Sequence, residues 1–150
     1  MASGRNHFNI LIVEDDPIDA SFLREAFDRY GDLVRIEHID RGEEAMARLR
    51  GLLDNRGDRP HLIVIDVNLP DIDGSKIYAL CSFSSGSQGI PLVIFTGGGH
   101  DGLKTCSETD PRMIYLLKPD SRDGYDKAAD TMLRHAATYM EKNAGVRLAS

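Results

Sequence analysis

Short apolar segments alternate with helical patterns along the whole of this 150-residue chain. Apolar runs at residues 8–13, 62–65, 91–95 and 113–117 are typical of buried strands, and residues 33–39 alternate as an edge strand does. Strand and helix patterns in alternation indicate βαβ units, which wind a parallel sheet with helices on both faces. The sequence therefore predicts an α/β protein with a doubly wound parallel sheet.

The helical segments differ in how clearly they are marked. They are expected at residues 17–30, 43–53, 75–83, 100–110 and 122–143. The first begins with Asp16 as N-cap and Pro17 as first helical residue, and the last carries the longest apolar face. The third and fourth have weak patterns, so their bounds stay open.

Polar residues stand directly after the strands. Asp15 and Asp16 follow the first strand, Asp66 follows the third, Thr96 the fourth and Lys118 the fifth. Ligands of a doubly wound sheet bind outside the carboxyl ends of its strands, so these side chains are expected to converge. Clustered carboxylates repel one another unless a cation joins them, and a group of oxygen ligands suits Mg²⁺.

The same residues fit one reaction. An ionised aspartate such as Asp66 can attack phosphorus and form an aspartyl phosphate, which requires positive charge near the transferring oxygens. Lys118 and Mg²⁺ would supply this charge. Thr96 would donate a hydrogen bond to a phosphoryl oxygen, and Gly97 leaves room for the phosphate and offers a backbone N–H.

The ordered set of motifs resembles that of response-regulator receiver domains. It consists of Glu14-Asp15-Asp16-Pro17, Asp66-Val67-Asn68-Leu69-Pro70 with Asp73-Gly74, Thr96-Gly97, and Lys118-Pro119. The resemblance covers roughly residues 9–140. It implies a flavodoxin-like sheet of five parallel strands in the order 2-1-3-4-5. One receiver domain would span residues 1–150, with its core at about 9–143, a short polar N-terminus and a flexible C-terminal tail.

The resemblance also implies roles for the motif residues. Asp66 would accept a phosphoryl group from the phosphohistidine of a sensor histidine kinase, so the chain would be a phosphoacceptor rather than an enzyme. Asp15 and Asp16 would hold Mg²⁺ directly or through water, together with Asp66 and the backbone carbonyl of Asn68. The phosphate would pair with Lys118.

Further roles concern the switch that reports phosphorylation. Thr96 would move toward the phosphate, and Tyr115 would be the aromatic residue that rotates inward. Pro119 would follow a cis peptide bond. Phosphorylation would thereby change the face formed by strand four, helix four and strand five, which a partner would read.

A narrower similarity concerns the partner. Residues 13–19, the Asn68-Leu69-Pro70 segment and the extended loop before strand three are similar to small receivers paired with bacterial phytochromes. This similarity implies a bacteriophytochrome as the kinase. Because the chain ends about seven residues after the last predicted helix, output is expected through a partner, a phosphate relay or a homodimer. The Tyr139-Met140 end of that helix suggests a dimer contact.

Composition argues against several other classes of protein. Acidic residues outnumber basic ones by 24 to 18, and a net charge of −6 would repel a nucleic-acid backbone. No apolar run approaches the roughly 18 residues that span a bilayer, and residues 1–9 lack the apolar region of a signal peptide, so a cytoplasmic protein is expected. Neither Cys81 and Cys106 nor the five histidines show metal-ligand spacing.

Two other functions remain open. A haloacid-dehalogenase-like phosphatase also places a nucleophilic aspartate after an apolar strand, but it uses a second aspartate two residues later as general acid. This chain has Asn68 at that position. A pseudo-receiver would keep the fold as an interaction module without phosphorylation, and Asp66 would then be a structural residue.

Overall fold

The computed structural model describes residues 7–53, 58–83 and 89–149. Its elements are β1 (Phe8–Val13), α1 (Pro17–Asp28), a 3₁₀ turn (Gly31–Leu33), β2 (Val34–Ile39), α2 (Gly42–Leu53), β3 (Leu62–Ile65), α3 (Gly74–Phe83), β4 (Leu92–Thr96), α4 (Asp101–Thr109), β5 (Met113–Leu117) and α5 (Arg122–Ala149). The expectation for the polar N-terminus, and parts of the loops before β3 and β4, lie outside the described residues.

The five strands form one parallel sheet in the order β2-β1-β3-β4-β5, as predicted. All residues of β3 and β4 are buried, which explains their continuous apolar sequence. The edge strand β2 alternates half-buried and exposed residues, and its half-buried Val34 and Ile36 pack against the apolar cluster that includes residues of α1 and α5. The fold class expected from the alternating patterns is therefore confirmed.

Helices cover both faces of the sheet. Successive residues of β1 point to opposite sides, so Leu11 and Val13 belong to one apolar cluster, and Ile10 and Ile12 belong to the other. The first cluster includes residues of α2, α3 and α4, and the second includes residues of α1 and α5. The sheet is thus buried on both sides, and the polar side chains at its strand ends are left for the site.

The structure resolves the uncertainty about the third and fourth helices. α3 is held to the sheet by Ile77 and Cys81, which lie four residues apart and are 0% and 1% exposed. α4 buries Leu103 and begins after His100, whose backbone is left-handed. Both helices have weak sequence patterns because each buries few side chains.

Two expectations were wrong. The peptide bond before Pro119 is trans, which is the lower-energy isomer of most X–Pro bonds. α5 continues to Ala149 instead of ending near residue 143. The added segment contains no proline, and its one glycine, Gly145, costs a helix only about 1 kcal/mol.

Although α5 has 28 residues, no helix in the described part of the chain is apolar enough to cross a bilayer.

Candidate functional site

The candidate site lies at the carboxyl ends of β1, β3, β4 and β5. The sheet hydrogen bonds continue just beyond the strands: the Asp66 N–H donates to the Val13 carbonyl at 2.9 Å, and the Lys118 N–H donates to the Thr96 carbonyl at 2.7 Å. These bonds extend the pairing of the strands into the backbone of the site and hold it in place. The predicted convergence of Asp66, Thr96 and Lys118 at one edge is therefore observed.

Three acidic side chains form a cluster at this edge. Carboxylate oxygens of Glu14, Asp15 and Asp66 lie within 4.8 Å of one another. Glu14 and Asp66 are 3% and 4% exposed, whereas Asp15 is half-buried. Charged groups in so little water require a partner, and the cluster is open to solvent on the side of Asp15.

Lys118 supplies the positive charge. Its Nζ lies 2.7 Å from Glu14 Oε1, 2.8 Å from Asp19 Oδ2 and 2.9 Å from Asp66 Oδ2. Burial alone would lower the pKa of Lys118, but the hydrogen bonds to these three carboxylates raise it above its ordinary value. Lys118 is therefore a fixed cation at neutral pH.

The pKa values of the two buried carboxyl groups, Glu14 and Asp66, shift in opposite directions. Burial raises the pKa of Glu14 well above its ordinary value, and the hydrogen bond to Asp66 raises it further. Burial acts in the same direction on Asp66, but hydrogen bonds from Glu14, from the Asn68 backbone N–H at 2.9 Å and from Lys118 outweigh it and lower the pKa of Asp66. Asp66 is thus the ionised member of the pair, as a nucleophile must be.

The donor set fits a small divalent cation. Mg²⁺ binds oxygen at about 2.1 Å, so two ligands on opposite sides of the ion lie about 4.2 Å apart. The carboxylate oxygens of Glu14, Asp15 and Asp66 all lie within 4.8 Å of one another, which is close to this spacing. The ammonium of Lys118 does not balance the carboxylates around it. The shortage of positive charge and the hard oxygen ligands both favour Mg²⁺ or a similar ion.

Asp16 is not part of this cluster, contrary to expectation. It is exposed, and its Oδ1 accepts hydrogen bonds from the backbone N–H groups of Ile18 at 2.8 Å and Asp19 at 3.4 Å as the N-cap of α1. Glu14 takes its place in the cluster. The Asp16-Pro17 pair in the sequence already indicated this role, because the side chain of an N-cap residue accepts hydrogen bonds from the first turn of its helix.

Two further residues of the site escaped the sequence reasoning. Asp19, in the first turn of α1, contacts Lys118 with one oxygen and accepts a hydrogen bond from the Tyr125 hydroxyl at 3.1 Å with the other. Burial and the charge of Asp19 both raise the pKa of Tyr125. No sequence pattern links Asp19 to Tyr125, which lies 106 residues further on, and only the fold brings the two together.

Thr96 is buried and engaged away from Asp66. Its Oγ1 accepts hydrogen bonds from Asn68 Nδ2 at 3.1 Å and from the Gly98 backbone N–H at 3.3 Å, and it donates to the Gly98 carbonyl at 3.3 Å. A Cβ at Gly97 would meet no atom within 4 Å, so the space beside this residue is open. Thr96 is therefore in the predicted place with its hydroxyl turned to the loop after β4.

Two side chains hold that loop. His100 Nε2 lies 2.9 Å from Asn68 Oδ1, and the Tyr115 hydroxyl donates to the Gly99 carbonyl at 2.7 Å. Tyr115 is half-buried on β5. Nothing in the sequence connects His100 with Asn68.

The sequence model of the response regulator receiver domain matches residues 10–129. A probable methanogenesis regulatory protein, FilR2 of Methanothrix harundinacea, is 32% identical over 114 residues, which are 75% of this chain and 72% of that protein. The transcriptional regulatory protein KdpE of Escherichia coli is 33% identical over 112 residues, which are 74% of this chain but 44% of KdpE. The chain thus spans less than half of KdpE.

Solved structures show the same fold. The phosphorylated cyanobacterial phytochrome response regulator RcpA has a TM-score of 0.71 and 25% identity, covering 83% of this chain and 89% of its own. The Mn²⁺-bound form of the response regulator Rcp1 has a TM-score of 0.66 and 26% identity, covering 81% and 88%. The bacteriophytochrome response regulator AtBRR has a TM-score of 0.65 and 25% identity, covering 85% and 93%. Together with its fold and acidic site, these matches establish that the chain belongs to the response-regulator receiver domain family.

Proposed function

We propose that Asp66 accepts a phosphoryl group from the phosphohistidine of a sensor histidine kinase, and that the chain is a cytoplasmic switch in a two-component phosphorelay. The observation that carries this proposal is the contact of the buried Asp66 with the Lys118 ammonium at 2.9 Å, which helps to lower the pKa of Asp66. An aspartate kept ionised inside the protein is a nucleophile, and the cation beside it stabilises charge that builds up during transfer.

The reaction is an in-line displacement at phosphorus. An Asp66 carboxylate oxygen forms the new bond to phosphorus while the bond between phosphorus and the donor imidazole nitrogen breaks, and the electron pair stays on that nitrogen. Lys118 remains protonated and pairs with a phosphoryl oxygen. The Thr96 hydroxyl and the backbone N–H of Gly97 would donate to the remaining oxygens, since the space beside Gly97 is open.

Mg²⁺ is the proposed cofactor. Asp15, Asp66 and Glu14 would hold it with their carboxylate oxygens, directly or through water, and the Asn68 backbone carbonyl would add a further ligand. When bound, the ion would neutralise charge on the transferring oxygens. The Mn²⁺-bound structure of the related Rcp1 supports a divalent cation of this kind.

The upstream partner is proposed to be a bacteriophytochrome-type histidine kinase. RcpA is a cyanobacterial phytochrome response regulator and AtBRR is a bacteriophytochrome response regulator, and each is 25% identical to this chain. Downstream, Thr96 and Tyr115 would carry the change from Asp66 to the face formed by β4, α4 and β5. Exposed Leu117 and Met140, which are 61% and 38% exposed, leave apolar surface for a partner or a second copy.

The experiment uses intact-mass measurement after incubation with phosphoramidate and Mg²⁺. We expect a mass gain of one phosphoryl group that disappears with EDTA and in the Asp66→Asn variant. Asp71→Asn is the matched control, because Asp71 lies in the same loop with its carboxylate on the N-terminus of α2. No gain in the wild-type protein would contradict the proposal and favour the pseudo-receiver alternative.

A further inference from the structure

His100 has an unusual backbone for its residue type. Its φ of 58° and ψ of 49° are left-handed, and within the described ranges it is the one residue other than glycine with a positive φ. A Cβ makes this conformation unfavourable, and such outliers often mark functional sites. His100 also occupies the N-cap position of α4 without capping the helix through its side chain.

The left-handed backbone directs the ring toward the phosphoacceptor loop. His100 Nε2 lies 2.9 Å from Asn68 Oδ1, across 32 positions of sequence. An amide oxygen only accepts hydrogen bonds, so Nε2 carries the proton and donates it. With Oδ1 bound to His100, the other end of the Asn68 amide, Nδ2, donates to Thr96 Oγ1 at 3.1 Å.

The chain of donors ends at Thr96. Its oxygen already accepts from Asn68 and from the Gly98 N–H, and its own proton is directed at the Gly98 carbonyl. The hydroxyl proton must leave the Gly98 carbonyl before it can donate to a phosphoryl group on Asp66, and the bond from Asn68 helps to hold the hydroxyl in its present orientation. The arrangement that His100 supports is therefore the one without phosphate.

The loop between β4 and α4 depends on such contacts. Gly97, Gly98 and Gly99 follow one another, and the last two have positive φ values of 134° and 83°. Glycine backbones have the greatest conformational freedom, so side-chain contacts must restrict this loop. His100 ties it to Asn68, and the Tyr115 hydroxyl ties it to β5 through the Gly99 carbonyl.

We propose that His100 is a positioning residue that holds the Asn68 amide on Thr96 and so opposes phosphorylation of Asp66. This inference rests on the proposed function. It predicts that loss of the ring frees Asn68 and Thr96 and accelerates phosphoryl transfer. Because the loss of the ring removes one hydrogen bond, the expected acceleration is about twofold to tenfold.

The test compares His100→Gly with His100→Gln. Glycine adopts the left-handed backbone without strain, so this variant removes the ring without adding backbone strain at position 100. Glutamine can restore a donor to Asn68. With saturating Mg²⁺ and increasing phosphoramidate, His100→Gly should raise the maximal phosphorylation rate and leave the half-saturating donor concentration nearly unchanged. His100→Gln should return the rate toward wild type, and the control Lys104→Ala, exposed on α4, should not change it.

A second readout does not depend on phosphorylation. In ¹⁵N-labelled, unphosphorylated protein, the Asn68 side-chain amide signals should shift in His100→Gly and return toward their wild-type positions in His100→Gln. An unchanged or slower phosphorylation rate in His100→Gly would overturn the inference, as would a change confined to dephosphorylation. A wild-type protein that takes up no phosphoryl group contradicts the proposed function instead, and the Asn68 signals still test the contact itself.

Discussion

Lys118 contacts three carboxylates of the site at once through its one ammonium group. Lys118→Ala leaves the ionised Asp66 without the cation that would face the transferring phosphoryl group. Removal of one preorganised electrostatic group of this kind lowers reaction rates by about 100-fold to 1,000-fold. We therefore expect the phosphorylation rate with phosphoramidate to fall by about 100-fold, measured as intact mass against time.

The control for Lys118→Ala is Lys127→Ala. Lys127 lies on α5 with a side chain that is 79% exposed, and its ion pair with Asp123 is on the surface. Its loss should leave the phosphorylation rate unchanged. Circular dichroism of both variants separates a loss of chemistry from a loss of fold. A Lys118→Ala variant that is folded and phosphorylated at the wild-type rate would show that Asp66 reacts without this cation.

His61 should make the stability of the protein depend on pH. Its Nδ1 accepts a hydrogen bond from the Asn9 backbone N–H at 2.8 Å, which only a neutral imidazole can do, and burial lowers the pKa of His61. In the unfolded chain the pKa of His61 is about 6.5. His61 therefore takes up a proton at a higher pH in the unfolded chain than in the folded protein. The stabilisation is fully present above about pH 6.5 and decreases as the pH falls below it.

Urea unfolding at pH 7.5 and pH 5.5 measures this effect. The free energy of unfolding should fall by at most about 1.4 kcal/mol per pH unit for one such site. His135, whose pKa burial also lowers, adds a similar dependence. In His61→Asn an amide oxygen can accept the same bond without titrating, so the fall should be smaller. An equal fall in both proteins would place the titrating group elsewhere.

At the scale of elements, the N-terminus of α2 packs closely against the phosphoacceptor loop. A Cβ at Gly42 would lie 1.7 Å from Ile72 Cγ2. Asp71, the residue before Ile72, accepts hydrogen bonds from the backbone N–H groups of Gly42 at 2.9 Å and Glu43 at 3.0 Å. These bonds lower the pKa of Asp71. The loop after β3 is therefore held by α2 as well as by the sheet.

Gly42→Ala should destabilise the protein by about 1–3 kcal/mol through overpacking. Gly102→Ala in α4 is the matched substitution, because a Cβ there would meet no atom within 4 Å. It should stabilise the protein by up to about 1 kcal/mol, since alanine is the better helix former. Chemical denaturation measures both. In the Gly42→Ala background, Ile72→Ala should restore part of the lost stability. If Gly42→Ala does not change the free energy of unfolding, the loop after β3 moves to accommodate the added methyl group without cost.

The strands and the helices were predicted within one or two residues, except at the end of α5. Strands buried on both faces carry continuous apolar runs, such as the one in β3, that read directly from sequence. α3 and α4 bury few side chains and leave little periodic signal. The end of α5 was missed, because neither Gly145 nor any other residue there forces a helix to stop.

At the scale of the whole molecule, the site joins residues from both ends of the chain. Lys118 meets Glu14 and Asp66 because the sheet order places β1, β3, β4 and β5 side by side. The sequence order of the motifs was enough to predict that Lys118 meets Asp66, but it did not predict the contact with Glu14. The contact of His100 with Asn68 was beyond prediction, because it requires a left-handed residue that no local pattern favours.

Mg²⁺ binding should stabilise the whole fold, because the Glu14, Asp15 and Asp66 carboxylates converge only in the folded chain. A ligand at about ten times its Kd raises the free energy of unfolding by about 1.4 kcal/mol, which corresponds to about 3–6 °C in Tm for a domain of this size. Asp15→Asn should reduce this rise, because it removes one charged ligand. The measurement is thermal unfolding with increasing Mg²⁺, with EDTA as the baseline.

Asp16→Asn is the control that separates two neighbouring carboxylates. Asparagine caps helices as well as aspartate does, so the bonds to the Ile18 and Asp19 N–H groups can persist. If Asp16 is a cap alone, the Mg²⁺-dependent rise in Tm should match that of the wild type. The opposite pattern, with the rise lost in Asp16→Asn and kept in Asp15→Asn, would return Asp16 to the metal site. The whole-molecule response to the ion thus decides between adjacent residues that composition and spacing leave equivalent.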